Sequence, residues 1–176
     1  LIKLLLTCRY CNRNGDNSYM TVQSNFINIV LVDTIHPGNI GSVARAMKTM
    51  GLERLSLVNP RLFPSDDAIA LSGNATDVLK NAKIFKNLKD AIKESTFIYA
   101  TSARERSIQW PIMNAASAAT DIHNKVNNSK EVSIIFGKED RGLTNDELEF
   151  ANTLIEIPAN PIYPVLNLAM SVQIIC

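Results

Sequence analysis

The sequence predicts an α/β fold with a mostly parallel sheet flanked by helices. Three observations carry this. Short apolar, β-branched runs recur at 27–32, 53–58, 96–100, 132–136 and 153–157. Segments with apolar residues at helical spacing alternate with them. The first run, Ile27–Val32, is almost unbroken in its apolar character, which suits a central strand covered on both faces.

In chain order, His36-Pro37-Gly38 breaks regular structure after that first strand. Asn39 then reads as a helix N-cap, because its side-chain oxygen can accept from free backbone N–H groups. Ile40, Val43, Ala44, Met47 and Met50 form one apolar helical face, and Gly51 ends the helix. Residues 53–58 alternate and then turn apolar as a second strand, closed by Asn59-Pro60. Ser65-Asp66-Asp67 starts a helix with carboxylates in its first turn, and Gly73-Asn74 breaks it. A helical turn at 76–81, a weak strand at 83–85 and a short helix at 88–94 follow. Residues 96–100 form the next strand and 114–127 the next helix. After the strand at 132–136, Thr144 and Glu147 have the spacing of a capping box, with a short helix to Phe150. A last strand at 153–157 meets Pro158, Pro161 and Pro164, after which a helical period resumes from 166.

The 176 residues suffice for one domain with a real core. A hydrophobic content of 46% and a charged content of 20% are those of a globular chain. A net charge of +1 lacks the basicity of dedicated nucleic-acid binders, so an RNA role needs a local patch or a dimer. No apolar run reaches the roughly 18 residues of a membrane span. Cys8, Cys11 and Cys176 give no disulfide framework and fit a reducing cytoplasm. Cys8 and Cys11 have zinc-knuckle spacing without a second pair, so no metal site is expected. The apolar 1–6 run and the polar stretch after it lack the features of a signal peptide. Residues 1–19 therefore read as a non-native or disordered extension. The domain is placed at 20–176, and its stop within a helical period reads as a C-terminal truncation.

Four strand ends carry unusual loops: 36–45, 101–106, 136–143 and 157–167. In an open α/β sheet such loops gather at one edge and can share a ligand pocket. Gly38-Asn39-Ile40-Gly41 is neither a Gly-x-Gly-x-x-Gly nor a Walker A sequence, which argues against a dinucleotide oxidoreductase and an NTPase. Arg45 and Lys48 lie three apart on the helix that follows the first strand. An isolated arginine on a helix is ordinarily just solvated; loops converging beside it give it a possible task. His36 reads as shaping its turn rather than as a base.

Taken together, Gly38-Asn39-Ile40-Gly41-Ser42-Val43-Ala44-Arg45, Phe136-Gly137-Lys138-Glu139-Asp140-Arg141-Gly142-Leu143 and the 157–169 segment containing Leu166-Asn167 resemble the three motifs of the SpoU group of SPOUT RNA methyltransferases. Within that group the resemblance, running from about Asn25 to Cys176, is to bacterial tRNA 2′-O-methyltransferases. It implies an α/β fold with a C-terminal trefoil knot, a homodimer, and S-adenosylmethionine as methyl donor. It also implies tRNA as partner, methylated on the ribose of the pyrimidine at the 5′ edge of the anticodon loop. By the family pattern Thr101, Ser102, Ala103, Gly137, Ile157, Val165, Leu166 and Asn167 line the cofactor site, and Arg45 and Asn39, supported by Glu139, serve catalysis. Arg45, Lys48, Arg104, Arg106 and Arg141 would hold the RNA. The alternatives are an rRNA 2′-O-methyltransferase and a non-catalytic RNA-binding protein of the same fold. One position departs from the pattern: the family usually has Ser where this chain has Val165.

Overall fold

The computed structural model describes residues 24–102 and 110–176; the expectations for residues 1–19 and for Ala103, Arg104 and Arg106 lie outside these. A 3-10 turn, Ser24–Phe26, leads into β1 (Ile27–Val32) and α1 (Pro37–Thr49). Then come β2 (Arg54–Val58), α2 (Asp66–Ser72), α3 (Thr76–Lys80), β3 (Lys83–Phe85), α4 (Leu88–Ile92) and β4 (Phe97–Thr101). The rest is β5 (Ile112–Asn114), α5 (Ala115–Asn127), β6 (Val132–Phe136), α6 (Asn145–Leu148), β7 (Thr153–Glu156) and α7 (Leu168–Ile175). The strands form one seven-stranded sheet in the order β3-β2-β1-β6-β4-β7-β5, and every adjacent pair is parallel. The α/β class with a parallel sheet is thus as the sequence predicts.

The apolar runs explain the order. β1 and β6 are buried along their whole length and take the centre. Successive side chains of a strand point to opposite faces, so each apolar run feeds two cores. Ile29 and Leu31 pack with Ile40 and Met47 of α1, Ile122 of α5 and Val172 of α7. Val30 and Val32 pack on the other face with Leu88 of α4 and Leu148 of α6. Each such buried aliphatic side chain stabilises the fold by about 1.5–3 kcal/mol relative to exposure. Register among the central strands is also pinned by polar groups: Ser56 Oγ donates to Asn28 Oδ1 at 2.8 Å, and Asn28 Nδ2 donates to Ser133 Oγ at 3.1 Å. On the first face α2 comes close to α1 because Gly41 has no side chain. A Cβ there would lie 2.1 Å from the Ala68 carbonyl oxygen.

The pairings Leu31 with Phe136, Ala100 with Ile135 and Thr101 with Ile155 bring the carboxyl ends of β1, β6, β4 and β7 level at one edge. Three of those strands, β6, β4 and β7, are immediate neighbours, so their loops emerge side by side.

Two local expectations are corrected. β5 has no counterpart in the sequence reading; it is a short strand that, among the described residues, pairs with β7 alone. Asn39 is not the N-cap of α1, which begins at Pro37 with His36 as N-cap and no side-chain cap bond. The capping box of α6 is formed in both directions: Glu147 N donates to Thr144 Oγ1 at 3.3 Å, and Thr144 N to Glu147 Oε2 at 2.7 Å. Cys176 is buried in the main core, and burial pushes its thiol up to about 12. Among the described residues no helix is long and apolar enough to cross a membrane.

Candidate functional site

The site grows from the end of β1. His36 is extended, and Pro37 takes a first-turn position where its missing N–H costs nothing. The two backbone N–H groups just before the helix are met by a distant carboxylate. Ile35 N donates to Glu139 Oε2 at 2.9 Å, and His36 N to Glu139 Oε1 at 3.1 Å. Asn39, the third residue of α1, donates its Nδ2 to the same Oε1 at 2.9 Å. Its Oδ1 accepts from Asn167 Nδ2 at 3.2 Å. Asn167 in turn caps α7, its Oδ1 accepting from Ala169 N at 2.9 Å. Partial burial by itself raises the Glu139 carboxyl. The hydrogen bonds from Asn39, Ile35 and His36 outweigh it and hold the group below its ordinary value, so it is ionised at neutral pH.

The loop that carries Glu139 is tightly folded. Gly142 N donates to the Lys138 carbonyl at 2.8 Å, and Gly142 has a φ of +69°. A Cβ on Gly137 would lie 2.3 Å from both the Gly142 carbonyl carbon and the Leu143 nitrogen. Only glycine lets the loop close on itself at this point.

Beside this loop opens a cavity of about 290 Å³. Thr101 and Ser102 form its β4 side, the 136–143 loop its β6 side, Ile155 and Ile157 its β7 side, and Pro164, Val165, Leu166, Leu168 and Ser171 its far wall. The strand ends are fastened: Thr101 Oγ1 donates to the Ile135 carbonyl at 3.2 Å and Ser102 N to the Ile155 carbonyl at 3.1 Å. Apolar side chains with a few polar groups among them line the cavity, the composition of a small-molecule site. Among the described residues no cluster of His, Cys, Asp and Glu could hold a metal ion.

Of the residues singled out from the sequence, Thr101, Ser102, Gly137, Glu139, Arg141, Ile157, Val165 and Leu166 line the cavity. Asn39 and Asn167 are bonded to each other at its edge. Arg45 is exposed on α1, and its guanidinium has no ion-pair partner among the described residues. Arg141 reaches Asp33 at 3.4 Å. Lys48 is not gathered with the rest: its Nζ donates to Asp77 Oδ1 at 2.7 Å and to the Asn74 carbonyl at 2.9 Å. Phe136, Leu143, Ile155, Leu168 and Ser171 also line the cavity and were not singled out. Strand-end apolar residues look like core in a sequence. The i, i+3 pair Leu168 and Ser171 on one face of α7 was the available signal.

Residues 26–176 match the SpoU rRNA Methylase family. The tRNA (cytidine/uridine-2′-O-)-methyltransferase TrmJ of Pectobacterium atrosepticum is 48% identical over 149 residues, covering 85% of this chain and 61% of that protein. The tRNA (cytidine/uridine/adenosine-2′-O-)-methyltransferase TrmJ of Pseudomonas aeruginosa is 44% identical over 149 residues, 85% of this chain and 58% of that protein. The chain thus spans about three fifths of the length of these relatives. Among solved structures, a probable methylase family protein from Haemophilus influenzae superposes with a TM-score of 0.80 at 42% identity, over 85% of this chain and 63% of that one. TrmJ from Z. mobilis superposes with a TM-score of 0.79 at 37% identity, over 84% of this chain and 66% of that one.

Proposed function

The chain belongs to the SpoU rRNA methylase family, and from that premise we propose that it methylates a ribose 2′-hydroxyl of tRNA with S-adenosylmethionine as donor. The target we propose is the pyrimidine at the 5′ edge of the anticodon loop. The observation that carries this proposal is the Asn167–Asn39–Glu139 chain of hydrogen bonds beside the cavity, which ties the three motif segments together at one edge of the sheet. The TrmJ relatives at 44% and 48% identity support tRNA as the substrate class.

The cavity's residues fit the donor. The Gly137 backbone leaves no room for a side chain, and Ile155, Ile157, Leu166 and Leu168 offer apolar surface to an adenine. Thr101 and Ser102, with the backbone of 137, 157 and 166, would hold its ribose and base. When bound, the donor supplies a methyl group on a sulfonium. The protein's task is then alignment, which contributes several kcal/mol when two reactants are held in line. Glu139 is occupied by three donors, so it orients Asn39 and the start of α1 rather than taking the proton. Arg45 stays protonated and cannot be a simple base, so the 2′-hydroxyl proton passes to water as the oxygen takes the methyl group and the sulfur is left as a neutral thioether. The Arg45 guanidinium binds the RNA phosphate and stabilises negative charge developing on the 2′-oxygen.

Arg45, Arg104, Arg106 and Arg141 would form the RNA track across a homodimer with the trefoil knot of its family, working on tRNA in the cytoplasm. The exposed apolar side chains Ile162, Tyr163 and Met170 at the C-terminal segment support self-association. A non-catalytic RNA-binding protein is the second reading, favoured by Val165 at the cavity wall where the family usually has Ser. Incubating the full chain with unmodified tRNA and labelled donor, then mapping the methylated ribose, tests the proposal. Label at the first pyrimidine of the anticodon loop supports it. A folded, donor-binding chain that transfers nothing to tRNA favours the second reading.

A further inference from the structure

We infer that Arg61 is a contact for an RNA backbone phosphate, an assignment that rests on the methyltransferase function proposed above. The argument starts from the ledge that carries it. Asp33 and Asn59 follow β1 and β2, and both have left-handed backbone, with φ of +52° and +47°. Such backbone costs free energy, less for Asn and Asp than for most residues, and persists where the surroundings over-determine it. Here they do. Asp33 N donates to the Val58 carbonyl at 2.9 Å, Asn59 N to the Phe85 carbonyl at 2.9 Å, and Asn59 Nδ2 to Asp33 Oδ1 at 2.8 Å. Just beyond this joint Arg61 N donates to the Thr34 carbonyl at 3.0 Å. The Arg61 backbone is therefore fixed beside residues 34–36, the segment whose amides hold Glu139.

Among the described residues the side chain has no such commitment. Among the described arginines, Arg54 is paired with Glu131 and Arg141 with Asp33. Arg45 and Arg61 are exposed and in no ion pair with a described residue. Both belong to one face of the sheet, Arg45 on α1 and Arg61 on the approach to α2, which is seated on α1 through Gly41 and Ala68. A guanidinium is always charged and forks onto phosphate oxygens in bidentate fashion. Of these two guanidinium groups, which are in no ion pair among the described residues, Arg61 is the one anchored at the ends of β1 and β2 beside the Glu139-bound segment, where it offers the RNA backbone a phosphate contact.

Titration of the full chain with unmodified tRNA between about 50 and 200 mM salt tests this. Arg61→Ala lowers affinity about three- to tenfold and flattens the salt slope by about one, while Arg61→Lys keeps most of both. S-adenosylmethionine affinity stays at the wild-type value. Lys130→Ala, which removes an exposed charge just before β6, at the amino-terminal edge of the sheet, binds tRNA as wild type does. Equal affinity and equal slope for Arg61→Ala and wild type overturn the assignment and leave the methyltransferase proposal standing. So does an equal loss in Lys130→Ala, or lost affinity with an unchanged slope, as a protein-facing or structural role would give. A wild-type chain that binds no tRNA at all overturns both.

Discussion

Asn39 and Glu139, a hundred positions apart in the sequence, are joined side chain to side chain at 2.9 Å. The same carboxylate accepts the Ile35 and His36 amides, so one side chain fastens the β6 loop to the start of α1. Hydrogen bonds to a charged acceptor contribute about 1.5–3 kcal/mol each where removal strands the donors. Glu139→Gln, which presents an NH₂ group to three donors, is expected to destabilise the fold by about 1–3 kcal/mol in urea titrations. The pH dependence has a definite sign. The folded group titrates below its ordinary value of 4.5, so near that pH the unfolded chain binds more protons and stability rises with pH. The wild-type advantage over Glu139→Gln is full above about pH 4.5 and shrinks as pH falls through the lower folded value. An advantage that instead grows toward acid contradicts the ionised acceptor.

Arg45 is exposed, unpaired among the described residues and outside the cavity wall. If it acts on RNA and on developing charge, its loss separates two measurements. Arg45→Ala is expected to lower the methyl-transfer rate by about 10²–10³-fold or more, the scale for removing one stabilising donor. Calorimetric affinity for S-adenosylmethionine is expected to stay at the wild-type value. A collapse of that affinity removes Arg45 from the RNA side.

Gly137 offers a steric test. A methyl group there lies 2.3 Å from backbone atoms of both Gly142 and Leu143, and backbone cannot step aside as a flexible side chain can. Gly137→Ala is expected to open the 137–143 loop at a cost of about 1–3 kcal/mol. Donor affinity is expected to fall about tenfold or more, the equivalent of about 1.4 kcal/mol. Thermal melts with and without S-adenosylmethionine check this: the shift produced by the donor shrinks in the variant. An undiminished shift places the donor away from this loop.

What the sequence made legible, and what it did not, divides by range. The apolar runs of β1 and β6 need only be read locally, because a strand buried on both faces has no polar side to hide. The capping box of Thr144 and Glu147 is likewise complete within four residues. The Asn39 cap was misread for a related reason. The residue type suits a cap, but Pro37 starts the helix two residues earlier, and the Asn39 amide goes to Glu139, a partner a hundred positions away. β5 was invisible because three residues at an edge, held by backbone pairing to β7, leave no periodicity. Lys48 faces Asp77 across a helix pair whose packing no local pattern specifies. The site residues were legible only as loops at strand ends. That several share one cavity follows from the adjacency of β6, β4 and β7, which strand sequences do not encode by themselves.

The resemblance to the SpoU group implies Ser where this chain has Val165, and the place of this residue permits a direct test. It lines the cavity yet is 57% exposed, so exchanging it removes little buried apolar surface. Val165→Ser is therefore expected to change stability by no more than about 0.5 kcal/mol. A hydroxyl at the wall adds a donor and an acceptor between Pro164 and Leu166, and one net hydrogen bond contributes about 0.5–1.5 kcal/mol. If that bond is made only when donor and ribose are aligned, it appears in the rate, by up to about tenfold. Single-turnover methyl transfer to tRNA, with equal donor affinity in both proteins, isolates the effect. A rate that stays level or falls means that this wall does not orient the reacting groups, and that Val165 serves as apolar cover for the cavity mouth.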